Sequence, residues 1–166
     1  MRGWGFAALA LAGIAAGGIA CVGCTAKSKH PEHAVLPAWA REEFSRIGLG
    51  EHLELHEKIE PAFQLGDFDG DGQLDVATLV RDRSSGKLGV LILHRAGGGH
   101  ILGAGRPFGN GGDDWSWLGT WRVVPGEQVP GGVARGRSAL LVEKPESAGG
   151  MVYWNGSEYV WMQWGD

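Results

Sequence analysis

The chain has 166 residues, of which 43% are hydrophobic and 20% are charged, and its formal net charge is −4. This length is typical of about one domain, and the composition is that of a folded globular protein rather than a disordered one. Without a basic field to attract a phosphate backbone, nucleic acid is not an expected partner. The 30 glycines and 8 tryptophans favour short strands joined by tight turns.

The first twenty residues have the order of a secretory signal peptide. Arg2 precedes a weakly hydrophobic run rich in Ala, Leu, Gly and Ile over residues 4–20, and small residues follow it. The run is short for a membrane-spanning helix, although an uncleaved anchor is the alternative. We therefore predict that residues 1–20 direct export.

The two cysteines, Cys21 and Cys24, follow this run directly. Gly18-Ile19-Ala20-Cys21 resembles the lipobox of bacterial lipoproteins, which implies that Cys21 becomes the acylated first residue of the mature protein. Cys24 is the alternative acylation site. A redox or metal-binding CxxC is disfavoured because a βαβ pattern and a second ligand pair are both missing. The resemblance implies a lipid anchor in the cell envelope, at the outer membrane or facing the periplasm if the organism is Gram-negative.

A tether and helical segments are predicted next. Residues 21–36 carry the lipidated cysteine and a polar tether, and residues 37–166 form the folded domain. Pro37 begins a helical pattern with Ala40, Phe44 and Ile47 at i, i+4 and i+7, and Gly48 is a natural stop. A second helical segment is predicted over residues 49–59. His52 and His56 would share its face, but without a third evident ligand they do not make a zinc site.

The strongest motif lies within residues 65–77. Aspartates occupy loop positions 1, 3, 5 and 9, and Gly72 at position 6 permits a sharp turn. Carboxylates this close would repel one another without a cation, so calcium is the predicted cofactor, and an Asx-rich solvent turn is the alternative. The predicted ligands are Asp67, Asp69, Asp71, the backbone carbonyl of Gln73, and Asp75.

The residues around this loop decide its type. An EF-hand would close with an acidic residue at position 12 and enter a helix, whereas Thr78 stands there and residues 76–80 predict a strand. Residues 63–80 instead resemble one FG-GAP or VCBS repeat. That resemblance implies a calcium-binding loop and a buried strand of a β-propeller blade, often in extracellular binding proteins. No second Asp loop occurs in the chain, so a complete propeller of four to eight blades is not expected.

Strands are predicted for most of the remaining chain. Residues 76–81 and 88–94 should pair across a polar turn, residues 100–103 are a candidate third strand, and residues 139–143 are another apolar run. The glycine-rich residues 103–112 predict a mobile surface loop. Trp115 and Trp117 would share a strand face, with the core favoured over a ligand surface.

The clearest hairpin covers residues 151–164, because Asn155-Gly156 separates two aromatic and β-branched runs. An aromatic strip on it would suit a sugar or a protein partner, although cross-strand packing is the alternative. The candidate ligand-binding residues are Tyr153, Trp154, Tyr159 and Trp161.

The sequence thus predicts an α+β domain, mainly antiparallel hairpins with one N-terminal helical layer. The expected function is that of a calcium-stabilised, lipid-anchored envelope module that binds a protein or a glycan. The alternatives are an enzyme inhibitor or accessory lipoprotein docking through the aromatic hairpin and, last, a hydrolase using Asp113, Asp114 or Glu143. An enzyme is not expected, because the common catalytic motifs are missing.

Overall fold

A computed structural model describes residues 35–165 of the chain. The predicted signal peptide, both candidate acylation sites and the tether up to residue 34 lie outside these residues. The described residues form an α+β fold in which one α-helix accompanies two open antiparallel sheets. The fold class predicted from the sequence is therefore confirmed, and neither sheet closes into a barrel or a propeller.

Helix α1 spans Ala38–Arg46 and begins directly after Pro37, as predicted. The chain then turns at Gly48, whose φ of 71° is a left-handed conformation that favours glycine. Ala40 is completely buried, and Phe44 and Ile47 pack on the same apolar cluster as Leu91. The apolar face of α1 therefore covers one face of the first sheet.

The second predicted helix, over residues 49–59, is wrong. The chain makes a single 3₁₀ turn at Leu49–Glu51 and then a short strand, β1, at Leu53–Leu55. Strand β1 pairs with the end of a longer strand, and Leu53 is matched with Asp82. Completing that ladder satisfies backbone groups along the sheet edge, which a short helix would leave open. His52 and His56 consequently do not share a helix face.

The first sheet contains five strands: β1, β2 at Phe63–Gly66, β3 at Asp75–Asp82, β4 at Leu88–Leu93 and β5 at Gly99–Gly103. Strands β1 and β2 both pair with β3, and β4 and β5 follow as an antiparallel meander. The predicted β3–β4 hairpin and the third strand are confirmed.

The second sheet is a four-stranded antiparallel meander: β6 at Thr120–Pro125, β7 at Ser138–Glu143, β8 at Gly149–Trp154 and β9 at Tyr159–Trp164. The predicted C-terminal hairpin is confirmed as β8–β9. The side-chain oxygen of Asn155 accepts hydrogen bonds from the backbone N–H groups of Ser157 and Glu158, at 2.9 and 3.0 Å. This Asx turn explains why Asn155-Gly156 reverses the chain.

The two sheets face one another across the main core. Leu79 and Ile92 of the first sheet share an apolar cluster with Leu140 and Val152 of the second. Alternate residues of β3 point the other way, so Val76 packs in the cluster beneath α1. Strands β3 and β4 are covered on both faces, which explains why they read as continuous apolar runs.

The segment between the sheets differs from its prediction in two ways. Trp115 and Trp117 lie in a 3₁₀ turn, Trp115–Trp117, and not on one face of a strand, because the Asp114 side chain caps that turn by accepting from the N–H of Ser116. Trp115 is fully buried in the core, whereas Trp117 is half-buried. The glycine-rich segment is also not wholly on the surface, since Ala104 and Gly111 are buried.

Candidate calcium loop and aromatic pocket

The aspartate-rich loop, residues 67–74, connects β2 to β3. The strands on either side are paired at Gly66 and Asp75, so the loop is closed at its base by the sheet itself. Gly70 and Gly72 both have a φ of 86°, which lets the backbone curl within a few residues. The loop is therefore a tight turn whose first and last aspartates lie close together.

Three of the predicted ligands converge in this turn. One carboxylate oxygen from each of Asp67, Asp69 and Asp71 lies within 4.8 Å of the other two. Backbone N–H groups hold these side chains: Asp67 accepts from Gly70 at 2.7 Å and from Gly72 at 2.9 Å. Among the described residues, no lysine or arginine forms an ion pair with these three carboxylates. The arrangement concentrates negative charge at one point.

Gln73 lies beside the cluster. Its backbone N–H and its side-chain amide donate to the two carboxylate oxygens of Asp71, at 2.7 and 2.9 Å. These bonds orient Asp71, which is otherwise exposed.

Asp75 occupies a different position from the other three. Its carboxylate is fully buried and accepts hydrogen bonds from the N–H groups of Phe68 and Arg95, both at 2.8 Å. Burial, reinforced by the neighbouring Asp69, raises the pKa of the Asp75 carboxyl, while the two N–H bonds oppose this shift. It forms a second group with Asp69 and His94, whose ligand atoms also lie within 4.8 Å of one another. Asp69 is therefore shared by both groups.

The loop is attached to the second sheet as well as to the first. The carbonyl of Asp67 accepts from the N–H of Ser138 at 2.6 Å, and the carbonyl of Asp69 accepts from the Arg137 guanidinium at 2.9 Å. Both partners belong to the start of β7 or the residue before it. The aspartate loop thus lies at the junction of the two sheets.

A buried polar chain extends from the loop into the second sheet. The Nδ1 of His94 lies 3.4 Å from the Asp69 carboxylate, and its Nε2 lies 2.6 Å from the hydroxyl of Tyr159. Because a carboxylate only accepts, we assign the His94 proton to Nδ1, which makes Nε2 the acceptor of the Tyr159 hydroxyl. Burial raises the pKa of Tyr159, so the hydroxyl remains a donor. No sequence pattern indicates this contact, because its partners are 65 residues apart.

The four candidate ligand-binding aromatics have different surroundings. Tyr159 is only 6% exposed and belongs to the core, and Trp154 contacts the rings of Tyr159 and His100 edge-on. Tyr153 packs half-buried against the outer apolar cluster of the second sheet. Trp161 alone lines a pocket.

This pocket, which we call the indole pocket, has a volume of about 320 Å³. It lies between the β9 strand and the Gly109–Gly111 turn. Two indoles form its apolar part, and amides and a lysine supply its polar part. Its side chains are those of Trp117, Trp161, Asn110, Gln163 and Lys144. Of these, the sequence indicates Trp161 as a candidate ligand-binding residue and Trp117 as a residue of the core or a ligand surface, whereas Asn110, Gln163 and Lys144 give no recognisable pattern.

Two of the three carboxylates considered for hydrolysis, Asp113 and Asp114, have structural partners. Asp113 pairs with Lys87, and Asp114 accepts from the N–H groups of Leu88 and Ser116, both at 3.0 Å. These bonds close turns next to the first sheet. Glu143 lies at the end of β7.

No protein-family model matches the sequence, and neither the curated proteins nor the solved structures contain a significant match to it. Within residues 35–165, no helix is long and apolar enough to cross a membrane. The loop and the pocket are therefore the features of the described residues that bear on function.

Proposed function

We propose that this chain is a calcium-stabilised, lipid-anchored binding module of the cell envelope whose ligand is a protein or a glycan. The observation that supports it is the convergence of the Asp67, Asp69 and Asp71 carboxylates in a turn where no described lysine or arginine pairs with them and where His94 lies 3.4 Å from Asp69. Such a cluster favours a hard cation, and calcium prefers six to eight oxygen ligands. Asp75 and the Gln73 carbonyl complete the proposed ligand set.

The role of the ion would be structural. The loop joins β2 to β3 and also bonds to Arg137 and Ser138 at the second sheet, so a cation there would hold both sheets. Calcium sites of extracytoplasmic modules commonly have Kd values of about 10⁻⁴–10⁻³ M, which suits an ion that is saturated outside the cell. We propose export and acylation at Cys21, with Cys24 as the alternative, on the resemblance of the leader to a lipobox.

A second candidate is an accessory or inhibitory lipoprotein that docks through the β8–β9 hairpin. One observation favours it: β9 is an edge strand, and Trp164 near its end is 39% exposed. Exposed aromatics beside an open strand edge are suited to contact with another protein.

The calcium proposal is tested by the melting temperature of the full chain in detergent, with calcium and with chelator. For a Kd of about 10⁻⁴ M, about 10 mM calcium would add about 2.7 kcal/mol to the free energy of unfolding. For a domain of this size, that corresponds to a rise of about 5–10 °C in Tm. Asp71→Ala should abolish most of this rise, because it removes one of the proposed ligands. Asp71 is exposed, so the substitution leaves the core packing unchanged.

Asp82→Ala is the matched control. Asp82 is also an aspartate that caps a turn, since its carboxylate accepts from Ser84 and Ser85. It lies at the other end of β3, so the variant should melt lower but keep the full calcium-dependent rise. A wild-type Tm that is the same with calcium and with chelator, or an Asp71→Ala protein that keeps the whole rise, would overturn the calcium proposal.

A further inference from the structure

The indole pocket has a preformed apolar corner. The ring centroids of Trp117 and Trp161 lie 6.3 Å apart, and the ring planes are inclined by 81°. The two rings are therefore nearly perpendicular and form a corner. Trp117 is held by its Nε1–H, which donates to the carbonyl of Gly111 at 2.9 Å. Both indoles are thus fixed before any ligand arrives, which lowers the entropic cost of binding.

Glycines make room for the second indole. A Cβ added at Gly150 would lie 2.1 Å from the Trp161 ring, and one added at Gly109 would lie 2.2 Å from its Cβ. The ring therefore lies against bare backbone on two sides. Any side chain at these glycines would displace it, so the glycines define the shape of the pocket.

The side-chain amides of Asn110 and Gln163 are joined by one hydrogen bond, in which Asn110 is the donor and Gln163 the acceptor. The Asn110 amide N–H donates to the Gln163 side-chain carbonyl at 2.9 Å, and the Trp161 Nε1–H approaches the same oxygen at 3.4 Å. Within residues 35–165, neither the side-chain carbonyl of Asn110 nor the side-chain NH₂ of Gln163 has a hydrogen-bond partner. The pocket therefore offers one acceptor and one donor side by side, which is what a hydroxyl group requires.

Lys144 supplies the positive charge of the pocket. It is exposed on the turn between β7 and β8, and no described residue forms an ion pair with it. A pocket of this volume suits a small ring or one unit of a polymer, whereas protein interfaces are usually broader. An apolar ring face, hydroxyl groups and a negative substituent together describe an acidic sugar.

We propose that the indole pocket binds one pyranose ring of an acidic glycan. The ring stacks in the corner of Trp117 and Trp161, its hydroxyls bond to Asn110 and Gln163, and its carboxylate faces Lys144. This inference rests on the proposed role as a binding module and supplies its ligand class. It requires no calcium at the pocket, so its failure is distinguishable from failure of the calcium proposal.

The test uses two disaccharides that differ at a single group. Cellobiouronic acid carries a carboxylate where cellobiose carries a hydroxymethyl group. Binding to the full chain is followed by the NMR signals of the indole N–H groups, in a detergent without a sugar head group. The acid should shift the Trp117 and Trp161 signals in a saturable way, with an affinity about two- to fivefold higher than that of cellobiose, as expected for an exposed ion pair.

The variants separate the two kinds of contact. Gln163→Ala should weaken both sugars by about three- to tenfold, since it removes one neutral hydrogen bond. Lys144→Ala should remove the preference for the acid and leave cellobiose unchanged. Arg122→Ala is the matched control, because it removes one exposed cation of the same sheet outside the pocket and should keep that preference.

Three results would overturn the inference. They are unmoved Trp117 and Trp161 signals at millimolar sugar, equal affinities of the wild type for both sugars, and unchanged affinities in Gln163→Ala and Lys144→Ala. Saturable binding in a protein whose Tm ignores calcium would support the pocket and contradict only the calcium proposal.

Discussion

His94 is the residue at which the first sheet, the aspartate loop and the second sheet meet. It is 7% exposed and follows β4, while its two ring nitrogens face Asp69 and Tyr159. His100 lies against it at 4.8 Å between ring centroids, and burial followed by the proximity of His94 lowers the pKa of His100. A buried imidazole with both nitrogens paired gives a rigid link, because each unpaired group would cost free energy.

Tyr159→Phe should therefore lower the free energy of unfolding more than the loss of a hydroxyl group at a half-buried position would. The change leaves Nε2 of His94 buried without a donor, which costs about 1–3 kcal/mol. The measurement is the urea midpoint, with an unchanged slope showing that only stability has altered. Tyr153→Phe removes the same hydroxyl from the neighbouring strand at a half-buried position, and should cost much less. Equal losses in the two variants would contradict the role given to His94.

At this scale the sequence predicts charge but not pairing. The aspartate spacing indicates a cluster because all its members lie in one short loop. Asp75, however, takes up two backbone N–H bonds in the core, which its place in the motif does not indicate. Asn110 and Gln163 meet only because β9 passes the Gly109–Gly111 turn, 53 residues away in sequence.

Helix α1 is joined to the first sheet by an acidic side chain as well as by its apolar face. The Glu43 carboxylate accepts from the N–H of Gly98, in the turn between β4 and β5, at 2.6 Å. It also pairs with Arg46 one turn along the helix, at 2.6 Å. The Arg46 bond, followed by the Gly98 bond, lowers the pKa of Glu43 from 4.5 to about 2.

This lowered pKa predicts an acid-sensitive contribution to stability. Because the folded-state value lies below the ordinary one, the contribution is full above pH 4.5 and is lost as the pH falls toward about 2. Glu43→Gln should be less stable than the wild type at pH 7, and the two urea midpoints should converge by about pH 2. Glu42→Gln, at the preceding residue of α1, is the matched control and should have the wild-type urea midpoint at pH 7. A constant difference between Glu43→Gln and the wild type would contradict this origin.

Elements with their own turn chemistry are the ones that the sequence predicts. The β3–β4 and β8–β9 hairpins carry Asp82 and Asn155, whose side chains cap the turns locally. Strand β1 has only three residues and forms because the end of β3 pairs with it. The helical spacing of the leucines in residues 49–59 therefore predicts the wrong element. Strand β6 was not predicted, since only part of its short length is buried.

Residues 35–165 form two sheets, each built from one continuous stretch of chain, and a junction whose contacts are distant in sequence. Each sheet is completed within one continuous stretch of chain, whereas the loop contacts of Asp67 and Asp69 reach residues about 70 positions later.

Acylation at Cys21 is tested by metabolic labelling with a fatty-acid analogue in a bacterial host. The wild type and Cys24→Ser should incorporate the label, and Cys21→Ser should lose it and leave the membrane fraction. Label that persists in Cys21→Ser but disappears in Cys24→Ser would move the anchor to the alternative cysteine. An unlabelled wild type would contradict the lipoprotein proposal.

The order of the two sheets along the chain has a consequence for biogenesis. The first sheet can pair its strands as soon as residue 103 has been made, yet its inner face, with Leu79 and Ile92, packs against residues from Trp115 onward, including those of the second sheet. During synthesis the nascent protein therefore carries an uncovered apolar surface for the time needed to add about 60 residues. At about 5–20 residues per second this window lasts several seconds. During it, the uncovered apolar face is a surface to which chaperones would bind.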